Sequence, residues 1–412
     1  MKKTLVALAS LAALGTSFAQ SSMTIYGNLD QTLVNASQGG KSATFTKSNS
    51  NSTSYWGITS TEDIGGGTKA SFDLRSEITL MTGNAASSTT ALSGASGPQS
   101  STTAATLGNV TTGAESPGFF NRGAYIQLTQ AGIGSLTVGR QGDAWWAAQG
   151  ELNTTTGTNG GSANLTAMQT NTISSGSMTS KVNGTATPTA LTNFLSGSGS
   201  SGAAINPTNT GTTYAYMGGF ALTTPTISGF SGTYQFGIPK MSYNDAGNAN
   251  NGAAWAIRYD GMGLSVRLAN TYKNDYSGAK AWSEDLIGAS YTMGQWKVAL
   301  VNNKMKLSGA AAVPNANGTT ATGAGVFYTM SSALTLNAAY GVLKDDVDSN
   351  NKFTQTSVNA VYKLSPRTSV YAGIASGKNE GKMMQSPIYS SVATDTALAT
   401  VNSYFFGARH SF

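Results

Sequence analysis

The chain has 412 residues, no cysteine, one histidine, 50 glycines and only 10% charged residues, with 24 Lys+Arg against 18 Asp+Glu for a formal charge of +6. Soluble domains carry roughly 25% charged residues, so this composition argues against an ordinary soluble surface and against a nucleic-acid binder. A thiolate or histidine-cluster metal site and a cysteine nucleophile are excluded, and no cofactor is expected.

Residues 1–19 have the form of a secretory leader: Lys2 and Lys3, an apolar run from Leu5 to Leu14, then Ser17-Phe18-Ala19 before Gln20. The run is too short to span a bilayer as a helix. Its removal leaves 22 basic residues against 18 acidic ones over residues 20–412, which are read as a single β domain.

The first strand follows at once. In Thr24-Ile25-Tyr26-Gly27-Asn28-Leu29-Asp30-Gln31-Thr32-Leu33 the apolar Ile25, Leu29 and Leu33 share one face and polar residues the other. Asn35 to Ser52 reads as a polar connection, followed by a strand at Tyr55-Trp56-Gly57-Ile58 and a glycine turn, Gly65-Gly66-Gly67. Ala70, Phe72, Leu74, Ile78 and Leu80 then alternate with Ser71, Asp73, Arg75, Glu77 and Thr79. Residues 82–118, almost wholly Ser, Thr, Ala, Gly and Asn, and most of 142–212 read as long polar loop insertions that cannot bury a core. Alternating hairpins occupy the rest, such as Trp255 to Leu268, Ile287 to Leu300 and Val358 to Ile374. The chain ends on Ser403-Tyr404-Phe405-Phe406-Gly407-Ala408-Arg409-His410-Ser411-Phe412, an apolar strand that needs a partner on each edge.

About sixteen strands are expected, near 24–34, 53–61, 69–80, 121–130, 134–141, 213–222, 230–237, 252–260, 263–273, 283–293, 295–304, 322–330, 334–342, 353–364, 367–376 and 402–412. Several have the nine to eleven residues that a tilted strand needs to cross a bilayer. Connections alternate short and long, the pattern of an antiparallel transmembrane β-barrel with short periplasmic turns and long outer loops. Tyr259, Tyr291, Trp296, Tyr340 and Tyr362 at strand ends suit interfacial girdles.

The chain resembles the trimeric general porins of Gram-negative bacteria, particularly the β-proteobacterial type. The resemblance is carried by Thr24 to Asp30, Trp56-Gly57 with Glu62 to Gly67, Asn121 to Tyr125, Gly139-Arg140-Gln141, Leu364 to Thr368 and Gly407 to Phe412. It implies an all-β, 16-stranded barrel of the cell outer membrane, a homotrimer, and a third outer loop folded into the pore. It also implies a water-filled channel for small hydrophilic solutes and ions. Expected partners are outer-membrane lipid and lipopolysaccharide, and a barrel-assembly machinery that reads the terminal Phe412. Two basic residues frequent in the family are replaced here by Tyr55 and Thr59.

Parity places Arg75, Arg258, Arg267, Lys297, Lys363 and Arg409 on the inner wall, with Asp30, Asp73, Glu77 and Asp260 as the acids. Cations outnumber acids, so weak anion preference is expected. Asp143 and Glu151 open the expected pore loop, placing negative charge opposite a basic wall. Arg122 and Arg140 fall on the outer parity, where an Arg at mid-membrane costs about 2–4 kcal/mol. They are assigned to the outer rim or the trimer contact, with an inward turn at a bulge left open. The lone His410 sits in the last strand, so the chain is not expected to be an enzyme; a surface adhesin or structural barrel with an occluded lumen is the alternative.

Overall fold

Strands wet on one side only can remove both sheet edges by closing on themselves, and this chain does so. The computed structural model describes residues 22–38, 40–81, 83–85, 119–152, 154, 216–238, 252–274, 280–307, 318–346, 349–381 and 400–412. The expected leader and most of both polar insertions lie outside these residues. Sixteen antiparallel strands form one sheet: β1 (Ser22–Gln38), β2 in two pieces (Lys41–Ser48 and Tyr55–Gly65), β3 (Thr68–Thr79), β4 (Gly123–Gln130) and β5 (Gly134–Gly142). A short helix α1 (Ala144–Glu151) precedes β6 (Tyr216–Thr223), β7 (Phe230–Gly237), β8 (Gly252–Gly261), β9 (Leu264–Asn274), β10 (Lys280–Met293) and β11 (Trp296–Leu307). The last five are β12 (Gly318–Thr329), β13 (Leu334–Asp345), β14 (Lys352–Lys363), β15 (Thr368–Glu380) and β16 (Thr400–Ser411).

Each strand pairs with the next, and β1 pairs with β16 from Asn28↔Ser411 to Gln38↔Val401. The seam is finished by Phe412, whose backbone exchanges two hydrogen bonds of 3.1 Å with Gly27. Its ring lies where a Cβ on residue 27 would stand, 2.4 Å from Cζ, so glycine is required there.

One expected loop is a strand. Asn35 to Ser48 does not leave the wall: β1 runs on to Gln38, turns through Gly40, and Lys41–Ser48 returns beside it from Gln38↔Lys41 to Gln31↔Ser48. The outward face of this extension is mostly polar and its apolar residues, Val34, Ala36, Ala43 and Phe45, lie on the inward one, so the outward apolar stripe that marks a membrane-level strand is missing although backbone pairing continues. The alternation of short and long connections is accordingly not strict. This hairpin is tight, and only residues 275–279 separate β9 from β10.

The apolar parity points outward around the ring. Ile25, Leu33, Ile126, Leu222, Ile257, Ile287, Leu300, Val358, Ile374 and Phe406 are all exposed. Burial of each such side chain is worth about 1.5–3 kcal/mol, so an uninterrupted band of this kind belongs against lipid. Trp296 and Tyr362, half exposed at 50% and 48%, lie on the outer surface rather than in a central core. Near the short-turn end Trp296 packs on Tyr328 with ring centroids 4.6 Å apart, and Phe230 packs on Tyr259 at 4.7 Å.

Candidate functional site

The interior is organised by the segment that leaves β5. Asp143 caps α1: its Oδ1 accepts from the backbone N–H of Trp145 at 2.7 Å and of Trp146 at 3.4 Å, satisfying donors that a helix start leaves open. Its Oδ2 accepts from Thr271 Oγ1 on β9 at 2.7 Å, and Ala144 N donates to Gln235 Oε1 on β7 at 3.0 Å. The helix is thereby fixed against the inner wall at its first turn.

Small wall residues make room for it. Trp145, Ala148 and Leu152 pack with Ala254 and Ala256 of β8, Ala269 of β9, Leu286 of β10 and Val301 of β11. Beyond the helix, Leu152 Cδ1 occupies the space that a Cβ on Gly288 would need, and Thr154 O lies 2.0 Å from where a Cβ on Gly325 would stand. Asn337 Nδ2 on β13 donates to Thr154 O at 3.1 Å. Residues 143–152 and Thr154 thus lie along the inner face from β7 to β13.

A polar relay holds the middle of this stretch. Trp145 Nε1 donates to Asn303 Oδ1 at 3.2 Å, and Asn303 Nδ2 donates to Glu284 Oε2 at 2.5 Å. Asn303 and Glu284 are both fully buried. An indole N–H donates only, so Trp145 fixes which end of the Asn303 amide faces it, and the amide nitrogen is left for Glu284. Neither is among the residues singled out from the sequence, although the outward parity of Ile287 and Leu300 places Glu284 and Asn303 inward.

At its C-terminal end α1 presents Glu151 to the wall. Glu151 Oε2 lies 2.5 Å from Arg267 Nε and 3.2 Å from Arg258 Nε, residues that face each other across β8 and β9. Arg267 also donates to Asp260 Oδ1 at 2.9 Å and to the carbonyls of Tyr259 and Val266. Lys297 is inward on β11, its Nζ 5.5 Å from the centre of the Phe327 ring. Lys363 stands exposed beside the short turn after β14, and Arg409 is half-buried on the inward parity of β16.

The other half of the ring gathers a second set. Arg75 Nη2 contacts Asp73 Oδ2 at 2.6 Å and Arg75 Nε donates to Tyr26 Oη at 2.9 Å, while the Tyr26 hydroxyl donates to Asp73. The guanidinium lies 5.3 Å from the centre of the Tyr55 ring, so the residue replacing a family cation here supports a cation instead. Thr59, at the second such position, donates to Phe72 O at 2.8 Å. Arg122 reaches Glu77 with Nε and Nη2, at 3.0 and 2.8 Å, and both side chains are nearly buried. Arg140 Nε donates to Asn121 O at 2.7 Å, directly after Gly139, whose φ of +126° an L side chain rarely adopts. Asn121 in turn accepts from Glu77 N at 3.0 Å. Asp30 is fully buried, and its Oδ1 accepts from the backbone N–H of Ser50 and Asn51 and from the Tyr371 hydroxyl.

The inner wall therefore carries two charged clusters on different arcs, each with both signs, and an inward segment stretched between β7 and β13. A family described as Gram-negative porin matches residues 4–382. Outer membrane porin protein 32 of Delftia acidovorans is 47% identical over 87 residues, 21% of this chain and 25% of that protein, so the match spans a quarter of that relative's length. Among solved structures, the anion-selective porin from Comamonas acidovorans superposes with a TM-score of 0.64 at 18% identity, over 95% of this chain and 100% of that one. OmpT of Vibrio cholerae, expressed in the outer membrane, gives 0.55 at 12% identity over 96% and 98%. At these identities the structures speak for the fold, and the family match speaks for descent. The chain belongs to the Gram-negative porins, β-barrels of the outer membrane.

Proposed function

We propose that the protein is a passive diffusion channel for small hydrophilic solutes and ions, with weak anion preference, working as a homotrimer in the outer membrane. The observation that carries this reading is the seating of Glu151 between Arg258 and Arg267 at the end of an inward helix. A sixteen-strand barrel is wide enough to leave an aqueous lumen, and a segment crossing it narrows that lumen at one level. With Lys297 and Asp260 included, three cations stand against two acids at this end of α1. On the other arc Arg75, Arg122 and Arg140 stand against Asp73, Glu77 and the fully buried Asp30, so the excess lies at the end of α1. A low-dielectric wall focuses such an excess, so anions are favoured while the acids keep the preference modest.

The Comamonas relative is described as anion-selective, and one V. cholerae structure as a trimer form, which supports carrying both properties over. The outer apolar band meets lipid and lipopolysaccharide, and the Phe412 ring at the seam is the feature the assembly machinery reads. Asp30, Lys363 and Arg409 act as wall charges, with Asp30 also holding the wall together. The zero-current potential across a bilayer separating unequal KCl solutions tests the reading: the sign expected for chloride is predicted. A cation sign overturns the charge assignment, and failure of proteoliposomes to swell in small sugars overturns the channel in favour of an occluded barrel.

A further inference from the structure

The second strand is interrupted at one place. Gln31 pairs with Ser48 and Asn28 with Tyr55, so residues 49–54 stand opposite only Leu29 and Asp30 of β1. Four residues more than the ladder needs must leave the wall. On the lipid side their backbone groups would lack partners; here they fold inward, onto the parity that carries Asn28, Asp30 and Glu77. The excursion begins at Asn49, whose φ is +66°.

The segment is fastened at each step. Asn49 N donates to Asp30 O at 3.2 Å, and Ser50 N and Asn51 N donate to Asp30 Oδ1 at 3.0 and 3.2 Å. Asp30 N donates to Ser54 Oγ at 2.9 Å, and Asn28 Nδ2 donates to Thr53 O at 2.7 Å. Asn49 Nδ2 ties the segment to Glu77 Oε1 at 2.7 Å, beside the Arg122 contact. Ser50, Asn51, Thr53 and Ser54 are buried, and Ser52 keeps partial exposure. A loop held by this many backbone contacts is part of the wall's rigid structure.

Its position matches that of α1. In a ring of sixteen, β2 lies opposite β10, in the middle of the arc that seats α1. From the turn-side ends, Asp30 is eight residues along β1 and Thr271, which holds Asp143, seven along β9.

We propose that residues 49–54, pinned by Asp30, form a second constriction element that narrows the lumen from the side opposite α1 and sets the size limit jointly with it. This rests on the channel reading. The chain contains no cysteine, so a single introduced thiol is unique. In Ser52→Cys, treatment with a negatively charged methanethiosulfonate lowers single-channel conductance by about one third or more, whereas labelled Ser42→Cys, on the outer hairpin, conducts as before. Deletion of Ser50 to Thr53, which restores a continuous ladder, raises conductance and admits larger polymers. No labelling of Ser52→Cys in the folded protein, full labelling with unchanged current, or a deletion variant that folds and conducts like wild type overturns the proposal alone. A wild-type protein that never conducts overturns the channel reading with it.

Discussion

Arg267 Nε lies 2.5 Å from Glu151 Oε2, joining the wall at β9 to the end of a helix 116 positions earlier in the chain. Glu151 is partly exposed and Arg267 nearly buried, so the acid both steadies the guanidinium and offsets its field at the lumen. A unit charge about 6 Å from a passing ion in water is worth about 0.7 kcal/mol, about threefold in local concentration. Glu151→Gln therefore raises the local anion concentration by about threefold at low salt and less at high salt, strengthening anion preference. Reversal potentials at two ionic strengths check this, and the change in stability stays below about 1 kcal/mol.

Charge reversal gives the opposite sign. Arg75→Glu and Arg267→Glu together shift the reversal potential toward cations, each by about 1.4 kcal/mol before screening, twice the effect of removing one charge. Arg75 also leaves Tyr26 and Tyr55, so a folded-barrel gel shift should accompany the recording. A reversal potential that does not move removes these residues from the ion path.

The strand positions are legible in the sequence because a two-residue period survives wherever one face meets lipid and the other water. Legibility failed where that contrast ends. Lys41–Ser48 has only Ser and Thr on its outward face and its apolar Ala43 and Phe45 on the inward one, beside Val34 and Ala36, so the lipid-side apolar stripe that marks the other strands is missing. Arg122 follows Asn121 at a strand entrance, before alternation begins, and its partner Glu77 lies 45 residues away. Family resemblance puts Asp143 and Glu151 at the opening of an inward loop. Their partners Thr271, Arg258 and Arg267 are set by barrel register, and the six-residue excursion at 49–54 resembles any other Ser/Asn-rich connection until the ladder on each side is counted.

Asn303 is the hinge of the buried relay. Asn303→Ala leaves Glu284 Oε2 without its donor and Trp145 Nε1 without its acceptor, at a cost of about 1–3 kcal/mol. A lower unfolding midpoint and noisier open-channel current are expected, because the middle of α1 loses its polar attachment. Trp145→Phe, which removes the indole N–H and keeps much of the ring packing, should reproduce the noise with a smaller loss of stability.

Close packing places the segment beyond α1. Gly325→Ala puts a Cβ 2.0 Å from the backbone oxygen of Thr154, so the segment must move and the Asn337 contact must lengthen. An altered conductance with near-normal assembly is expected, measured beside Gly218→Ala, where an added Cβ meets nothing within 4 Å.

The inner wall of this porin encloses a continuous column of water while the apolar wall faces lipid. Single-channel recording of the purified, folded protein in a planar bilayer checks this. Stable ohmic steps whose conductance follows the bulk conductivity of the salt solution are predicted. Insertion of folded barrels without any conductance step, across salts and voltages, would contradict it.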